Sequence, residues 1–359
     1  MNLKRITILL IFTFFGLALL FGGYSSWNSS NPQKTCASCH EISPSVNEWQ
    51  HSAHRDVRCT ECHGTAVSNG FHSLKEKVDM VFTHLGKVKN HEEIRMTEEQ
   101  VLAISDKCAK CHQSEYAKWK SGGHSANYSD IFMNGKHNHD EAPYWGCLRC
   151  HGMFYEGTIK TLVQKPLKDD GVWKLKDLSK VSKPTIPCLA CHQFHAENAP
   201  LGRTAKLDHP KEISYERAKR NPSIAWYARD DHQSIRADNL LKIEMFSNGK
   251  PIKVSDDPAQ KLCTQCHAPN FAHESGSQDD HTPTGVHEGL SCMACHSPHS
   301  NDARNSCRNC HPAISNCKLD VTTMNTTYLD IKSPNNIHSV NCTSCHAAKE
   351  KRPRGLGVS

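Results

Sequence analysis

The chain has 359 residues, of which 37% are hydrophobic, against roughly 45–50% in an ordinary globular chain. It carries a formal charge of +6, 19 cysteines and 25 histidines, far more cysteine than a cytosolic enzyme needs. The apolar supply is thin for a chain of this length, and something other than side chains is expected to fill much of the interior.

At the N-terminus, Lys4 and Arg5 precede an apolar run from Ile6 to Gly23. The run is long for a signal-peptide core, has no Ala-x-Ala-like cleavage site and is followed by no cysteine that could accept a lipid. Residues 1–25 are predicted to be an uncleaved membrane anchor, with a cleaved signal segment as the alternative. Positive residues inside place everything after about Tyr24 on the outer side of the cytoplasmic membrane, in the periplasm. Cleavage would give the same compartment, or export from the cell, with no anchor.

Beyond the anchor, eighteen cysteines fall into nine Cys-x-x-Cys pairs, each followed directly by histidine. They are Cys36, Cys39 and His40; Cys59, Cys62 and His63; Cys108, Cys111 and His112; Cys147, Cys150 and His151; and Cys188, Cys191 and His192. The series continues with Cys263, Cys266 and His267; Cys292, Cys295 and His296; Cys307, Cys310 and His311; and Cys342, Cys345 and His346. Zinc ribbons and redox pairs have no reason to demand a histidine after every pair. Cysteines at i and i+3 lie on one side of a helical turn and reach the two vinyl groups of one porphyrin, while the histidine at i+4 points at the iron. The pattern predicts nine covalently bound haem c groups, with the motif histidines as proximal ligands. Two propionates per haem outweigh the positive charge of the polypeptide, so its sign carries no argument for nucleic acid, and no nucleic-acid partner is expected.

Residues 36–346 allow only about 35 residues per motif. Haem faces must then supply the interior, and the expected fold class is mainly α with extensive irregular loops: a haem-packed core and one N-terminal transmembrane helix. Thr97 and Gln100 form a capping-box pattern ahead of Val101, Leu102 and Ile104, which predicts a helix running into the third motif. No regular β-sheet is predicted. The longest haem-free stretch, from Gln193 to Leu262, contains Asp208, His209, Pro210, His232 and the cluster Ala225-Trp226-Tyr227. A second gap, from Gly152 to Pro187, suggests a soft boundary near 165, between a four-haem region over 26–165 and a five-haem region over 166–359.

An iron that only carries electrons wants a second strong axial ligand, and sixteen histidines lie outside the motifs. Trp49-x-x-Ser52-x-His54 after the first motif and Trp119-x-Ser121-x-x-His124 after the third form a weak internal repeat. His287 lies five residues before Cys292 and His338 four before Cys342, while His195 and His299 each sit three residues after a motif histidine. With His139 and His209 these make the set of candidate distal ligands; His51, His72, His91, His137 and His281 stay open. Cys317, the odd cysteine, reads as a structural thiol rather than a substrate-binding or cross-linking one.

The stretch from Cys36-Ala-Ser-Cys-His40 through Trp49-Gln-His-Ser-Ala-His-Arg55 to Cys59-Thr-Glu-Cys-His63 resembles the membrane-anchored quinol dehydrogenases of the NapC/NirT/NrfH type. The resemblance covers the anchor and roughly 34–115. It implies electron uptake from menaquinol or ubiquinol near the first haem and relay to a periplasmic reductase, with Lys75, Lys77 and Asp79, followed by His84, as a loosely matching quinol site. The competing reading of that segment is an amphipathic helix whose Val78, Val81, Phe82 and Leu85 cover a haem. Ile42 stands where many NrfH-type members carry methionine, so the first haem must use another ligand or stay open. Further on, Gly285-Val286-His287 before Cys292 and His296-Ser-Pro-His299 after it resemble locally the multihaem nitrite reductases and hydroxylamine oxidoreductases. The Cys-x-x-Cys-Lys motif that serves those nitrite reductases is absent.

Two function classes follow. The first is an electron carrier linking the membrane quinone pool, or a membrane redox protein, to a periplasmic or outer-membrane redox partner. The alternative is an oxidoreductase acting on a small nitrogen or sulfur species at one open-coordinate haem. An excess of spare histidines over irons favours the first.

Overall fold

The computed structural model describes residues 3–30, 43–50, 52–64, 96–167, 171–193, 224–247, 249–267 and 282–300, together with Ala303, Cys310 and His338. The chain opens with helix α1 (Leu3–Ser30). Within its stretch Lys4–Ser26 the most apolar 18-residue window has a mean hydropathy of 2.4 and none of that window is buried; Phe12 and Leu19 are 73% and 75% exposed. Twenty-three residues at 1.5 Å each are enough to cross a bilayer core of about 30 Å. Among the described residues this is the only helix long and apolar enough to do so.

The body begins with α2 (Ser43–Gln50) and the single turn α3 (Cys59–His63). The predicted capping box then opens α4 (Glu98–Cys111): the Gln100 amide donates to Thr97 Oγ1 at 3.3 Å, and the Thr97 amide donates to Gln100 Oε1 at 2.7 Å. In its first turn the buried Glu98 carboxylate accepts from the Tyr128 hydroxyl and from the Lys180 ammonium, so two later segments are clamped onto the start of this helix. Short helices follow: α5 (Gln113–Ser121), α6 (Tyr128–Phe132), α7 (Gly135–Asp140), α8 (Ile159–Leu162) and, much later, α9 (Pro258–Cys263).

The expected absence of regular sheet is corrected by three antiparallel pairs. They are β1 (Val163–Gln164) with β2 (Lys174–Leu175), β3 (Ala225–Ala228) with β4 (Gln233–Arg236), and β5 (Met245–Ser247) with β6 (Lys250–Ile252). Strands of two to four residues are too short to show an alternating pattern, which is why the sequence did not announce them. The Ala225-Trp226-Tyr227 cluster is the start of β3, and Tyr227 stacks on Phe154 at 4.1 Å between ring centroids.

Two apolar clusters form the side-chain core. Val101, Met153, Phe154, Leu189, Ala190, Trp226, Ala237 and Leu240 make one; Tyr128, Phe132, Leu148, Ile159, Leu162, Val163 and Leu175 make the other. Leu189 and Ala190 are the spacer of the fifth motif and Leu148 belongs to that of the fourth, so burying these apolar residues pulls both motif turns down onto the core. Segments on either side of residue 165 pack together: Trp119 Nε1 donates to the Ile186 carbonyl at 3.1 Å, and Asn127 forms a bridge with Pro184.

Candidate functional site

Five motifs share one backbone device. The amide of the motif histidine donates to the carbonyl of the first cysteine: His112 to Cys108 at 2.9 Å, His151 to Cys147 at 2.7 Å, His192 to Cys188 at 3.0 Å, His267 to Cys263 at 2.9 Å and His296 to Cys292 at 2.8 Å. This is the i to i+4 bond of one helical turn, which sets both cysteines and the histidine along one side. The turns are formed differently. The third motif ends α4 and the sixth ends α9, while tight turns carry the fourth (Trp145–Arg149), fifth (Cys188–Ala190) and seventh (Cys292–Ala294).

Among the described residues no three His, Cys, Asp or Glu side chains converge as a metal cage requires. The histidines meet two by two instead. His54 faces His112 with ring centroids 5.9 Å apart; His124 faces His267, His299 faces His192 and His338 faces His296, each at 6.0 Å. Every pair joins one motif histidine to one from outside the motifs. A metal–imidazole bond is about 2.0–2.1 Å and the ring centroid lies roughly 1 Å behind the nitrogen, so two imidazoles holding one ion from opposite sides stand about 6 Å apart. Each of the four pairs has room for one ion, which the two imidazoles would hold between them.

Three of the four outer histidines are held by hydrogen bonds. Ser52 Oγ accepts from the His54 amide at 3.0 Å, and Trp49 Nε1 donates to the Val57 carbonyl at 3.0 Å, which closes the turn carrying His54. His124 Nδ1 is 3.0 Å from the Pro298 carbonyl, which fixes the ring and leaves Nε2 for the opposite side. Thr284 uses both amide and hydroxyl to hold the His338 carbonyl, at 2.8 and 3.0 Å. Burial lowers the pKa of His54, His124 and His299, and takes that of His151 down to about 4. The neutral imidazole, the form that can ligate, is thereby favoured.

The turns also lie against one another. α3 packs on α4, the Cys188–Ala190 turn packs on α4, and α9 packs on the Cys292–Ala294 turn. Asp257, which caps α9 through the Ala259 amide at 2.9 Å, also accepts from the hydroxyl of Ser291 at the start of the seventh motif. Thiols of different motifs touch: Cys150 is hydrogen-bonded to Cys266, and Cys263 to Cys292.

The outer histidines His54, His124, His299 and His338 are therefore each brought to a motif histidine, although nothing in the sequence said which one. His139, exposed on α7, and His287, half-buried on the turn Gly285–His287, lie outside these four pairs. His137 is the non-motif histidine of α7 whose charge reaches His151. Cys36, Cys39, His40, Lys75, Lys77, Asp79, His195, His209, Cys307, His311, Cys317, Cys342, Cys345 and His346 lie outside the described residues.

Comparison with known proteins gives this arrangement its context. Residues 1–154 match the NapC/NirT cytochrome c family, N-terminal region. That match covers less than half of the chain. Residues 222–297 match a second family, cytochrome c554 and c-prime, which is the likeness found where the sequence locally resembled nitrite reductases and hydroxylamine oxidoreductases. The cytochrome c-type protein TorY of Haemophilus influenzae is 27% identical over 162 residues, 42% of this chain and 44% of that protein. The cytochrome c-type protein NrfH of Wolinella succinogenes is 26% identical over 152 residues, 39% of this chain and 77% of that protein. The chain thus spans less than half of TorY. No solved structure matches it. These likenesses, together with the apolar helix α1, support a multihaem c-type cytochrome of electron transport with a membrane anchor.

Proposed function

We propose that the chain is a nine-haem electron carrier, anchored in the cytoplasmic membrane by α1, with its haem region in the periplasm. Electrons enter from membrane quinol, or from a membrane redox protein, and leave to a periplasmic or outer-membrane partner. In this reading 26–165 is a four-haem region and 166–359 a five-haem region. The two cysteines of each motif form the thioether bonds and its histidine is the proximal ligand.

The four histidine pairs carry this reading. Bound haem supplies a one-electron couple at its iron. His54, His124, His299 and His338 would hold a haem iron together with His112, His267, His192 and His296, the motif histidines they lie beside. With both positions taken no substrate can bind there, which suits electron transfer rather than catalysis, and two basic imidazoles stabilise the ferric state and keep the potential low. His139, His195, His209 and His287 are the further candidates for the remaining irons.

Low-temperature electron paramagnetic resonance of the oxidised protein tests the reading. Low-spin iron is expected throughout the histidine-paired set, and a high-spin majority would overturn it. The mass should exceed that of the processed polypeptide by nine haems; seven or fewer under full maturation would contradict the count. For the donor side, Asp79 and either Lys75 or Lys77 would receive the quinol headgroup by hydrogen bonding and take up its protons. Asp79→Asn should slow reduction by a menaquinol analogue while leaving dithionite reduction intact, and equal rates would remove Asp79 from the site.

A further inference from the structure

Arg236 ends β4 with its side chain 4% exposed. A guanidinium cannot shed its proton, so a buried one needs an anion. The nearest carboxylate, Glu48 on α2, is 3.9 Å from Nη1, beyond hydrogen-bonding distance, and Arg236 Nη2 is buried with no hydrogen-bond partner among the described residues. Gln260 is 0% exposed, and neither its Nε2 nor its Oε1 has a hydrogen-bond partner there. Polar groups left bare in an interior are costly, and two of them on neighbouring elements point to a ligand.

Their placement says which ligand. Arg236 stands opposite Ala225 in the β3–β4 ladder, and the Ala225 amide donates to the Cys191 carbonyl of the fifth motif at 3.0 Å. The turn Ala237–Asn239, which follows Arg236 directly, packs on α9, the helix that carries Gln260 and ends at Cys263 of the sixth motif. Both groups therefore sit between two haem-attachment turns. The anions that the proposed function brings into this interior are haem propionates, and the planar guanidinium fork matches a carboxylate, with an amide N–H as a further donor.

We propose that Arg236 and Gln260 form a buried carboxylate-binding site that takes a propionate of a haem held by the fifth or the sixth motif. The inference rests on the haem reading above. Arg236 acts as a positioning residue: it keeps the propionate ionised, and its charge favours the reduced, more negative state of that haem.

Spectroelectrochemical titration of the full-length holoprotein on both sides of neutral pH tests the site. Arg236→Gln should lower the midpoint potential of one haem and make that potential pH-dependent, because the carboxylate is no longer held ionised. Arg236→Lys should stay near wild type, and Gln260→Leu should shift the same haem in the same direction by less. If Arg236→Gln does not mature, the Gln260→Leu shift decides. Wild-type titrations for both Arg236→Gln and Gln260→Leu at every pH would overturn the proposal, as would a wild-type potential that depends on added phosphate, which would assign a soluble anion instead. The mass of the wild-type protein separates the two levels. Without covalent haem the haem reading itself falls; with haem and no shift, only this site does.

Discussion

At the scale of single residues, the four outer histidines make the sharpest predictions. Replacing His54, His124, His299 or His338 with alanine should turn one haem high-spin in each case while the covalent haem count stays unchanged, because the thioethers and the proximal histidine are untouched. An unchanged spectrum would return that residue to a packing role. Gly122 tests the same geometry through the backbone. A Cβ there would lie 3.0 Å from the His299 carbonyl oxygen and 3.2 Å from that of Ser300, both backbone atoms that cannot swing aside. Gly122→Ala should destabilise the protein by about 1–3 kcal/mol, as overpacking does, and should perturb the haems paired to His124 and His299 together. Thermal denaturation with a spin-state readout checks both parts. The motif spacing is legible because it is local, and five of the nine motifs close the same backbone turn among the described residues. The pairings were not: His124 and His267 are more than one hundred residues apart, and no spacing rule links them.

At the scale of elements, local rules succeeded where the signal was complete within a few residues. Thr97 and Gln100 announced α4, and the reciprocal bonds are there. Thr97→Ala should cost about 1 kcal/mol through loss of the cap, read as a lowered midpoint in denaturant with an unchanged slope. The β3–β4 hairpin escaped notice because its turn, Arg229 to His232, contains neither glycine nor asparagine; His232 itself takes the left-handed conformation at φ 52°. The β5–β6 pair did carry a signal, since Asn248-Gly249 is a favoured hairpin dipeptide and Gly249 has φ 75°, but the strands beside it are too short to stand out.

At the scale of the whole molecule, side-chain contacts cross the middle of the chain. His124 precedes residue 165 and faces His267; His299 follows it and lies against Gly122, while Lys180 reaches back to Glu98. Whatever the count of haems on each side, the two regions should unfold together. A single thermal transition followed at the haem absorption is expected, and two resolved transitions would show that the regions are separable.

The thiol contacts between motifs also bear on the timing of biogenesis. Cys150 meets Cys266 and Cys263 meets Cys292, and in the proposed function the two sulfurs of each contact would bind different haems. Thiols that adjacent oxidise readily in the compartment where c-type haem is attached, and the resulting cross-links would join the wrong partners. A chain that packed first and was loaded afterwards would lock these sulfurs away from their porphyrins. If the chain is the haem carrier proposed above, attachment would therefore have to run ahead of packing, with a supply of reductant keeping pace.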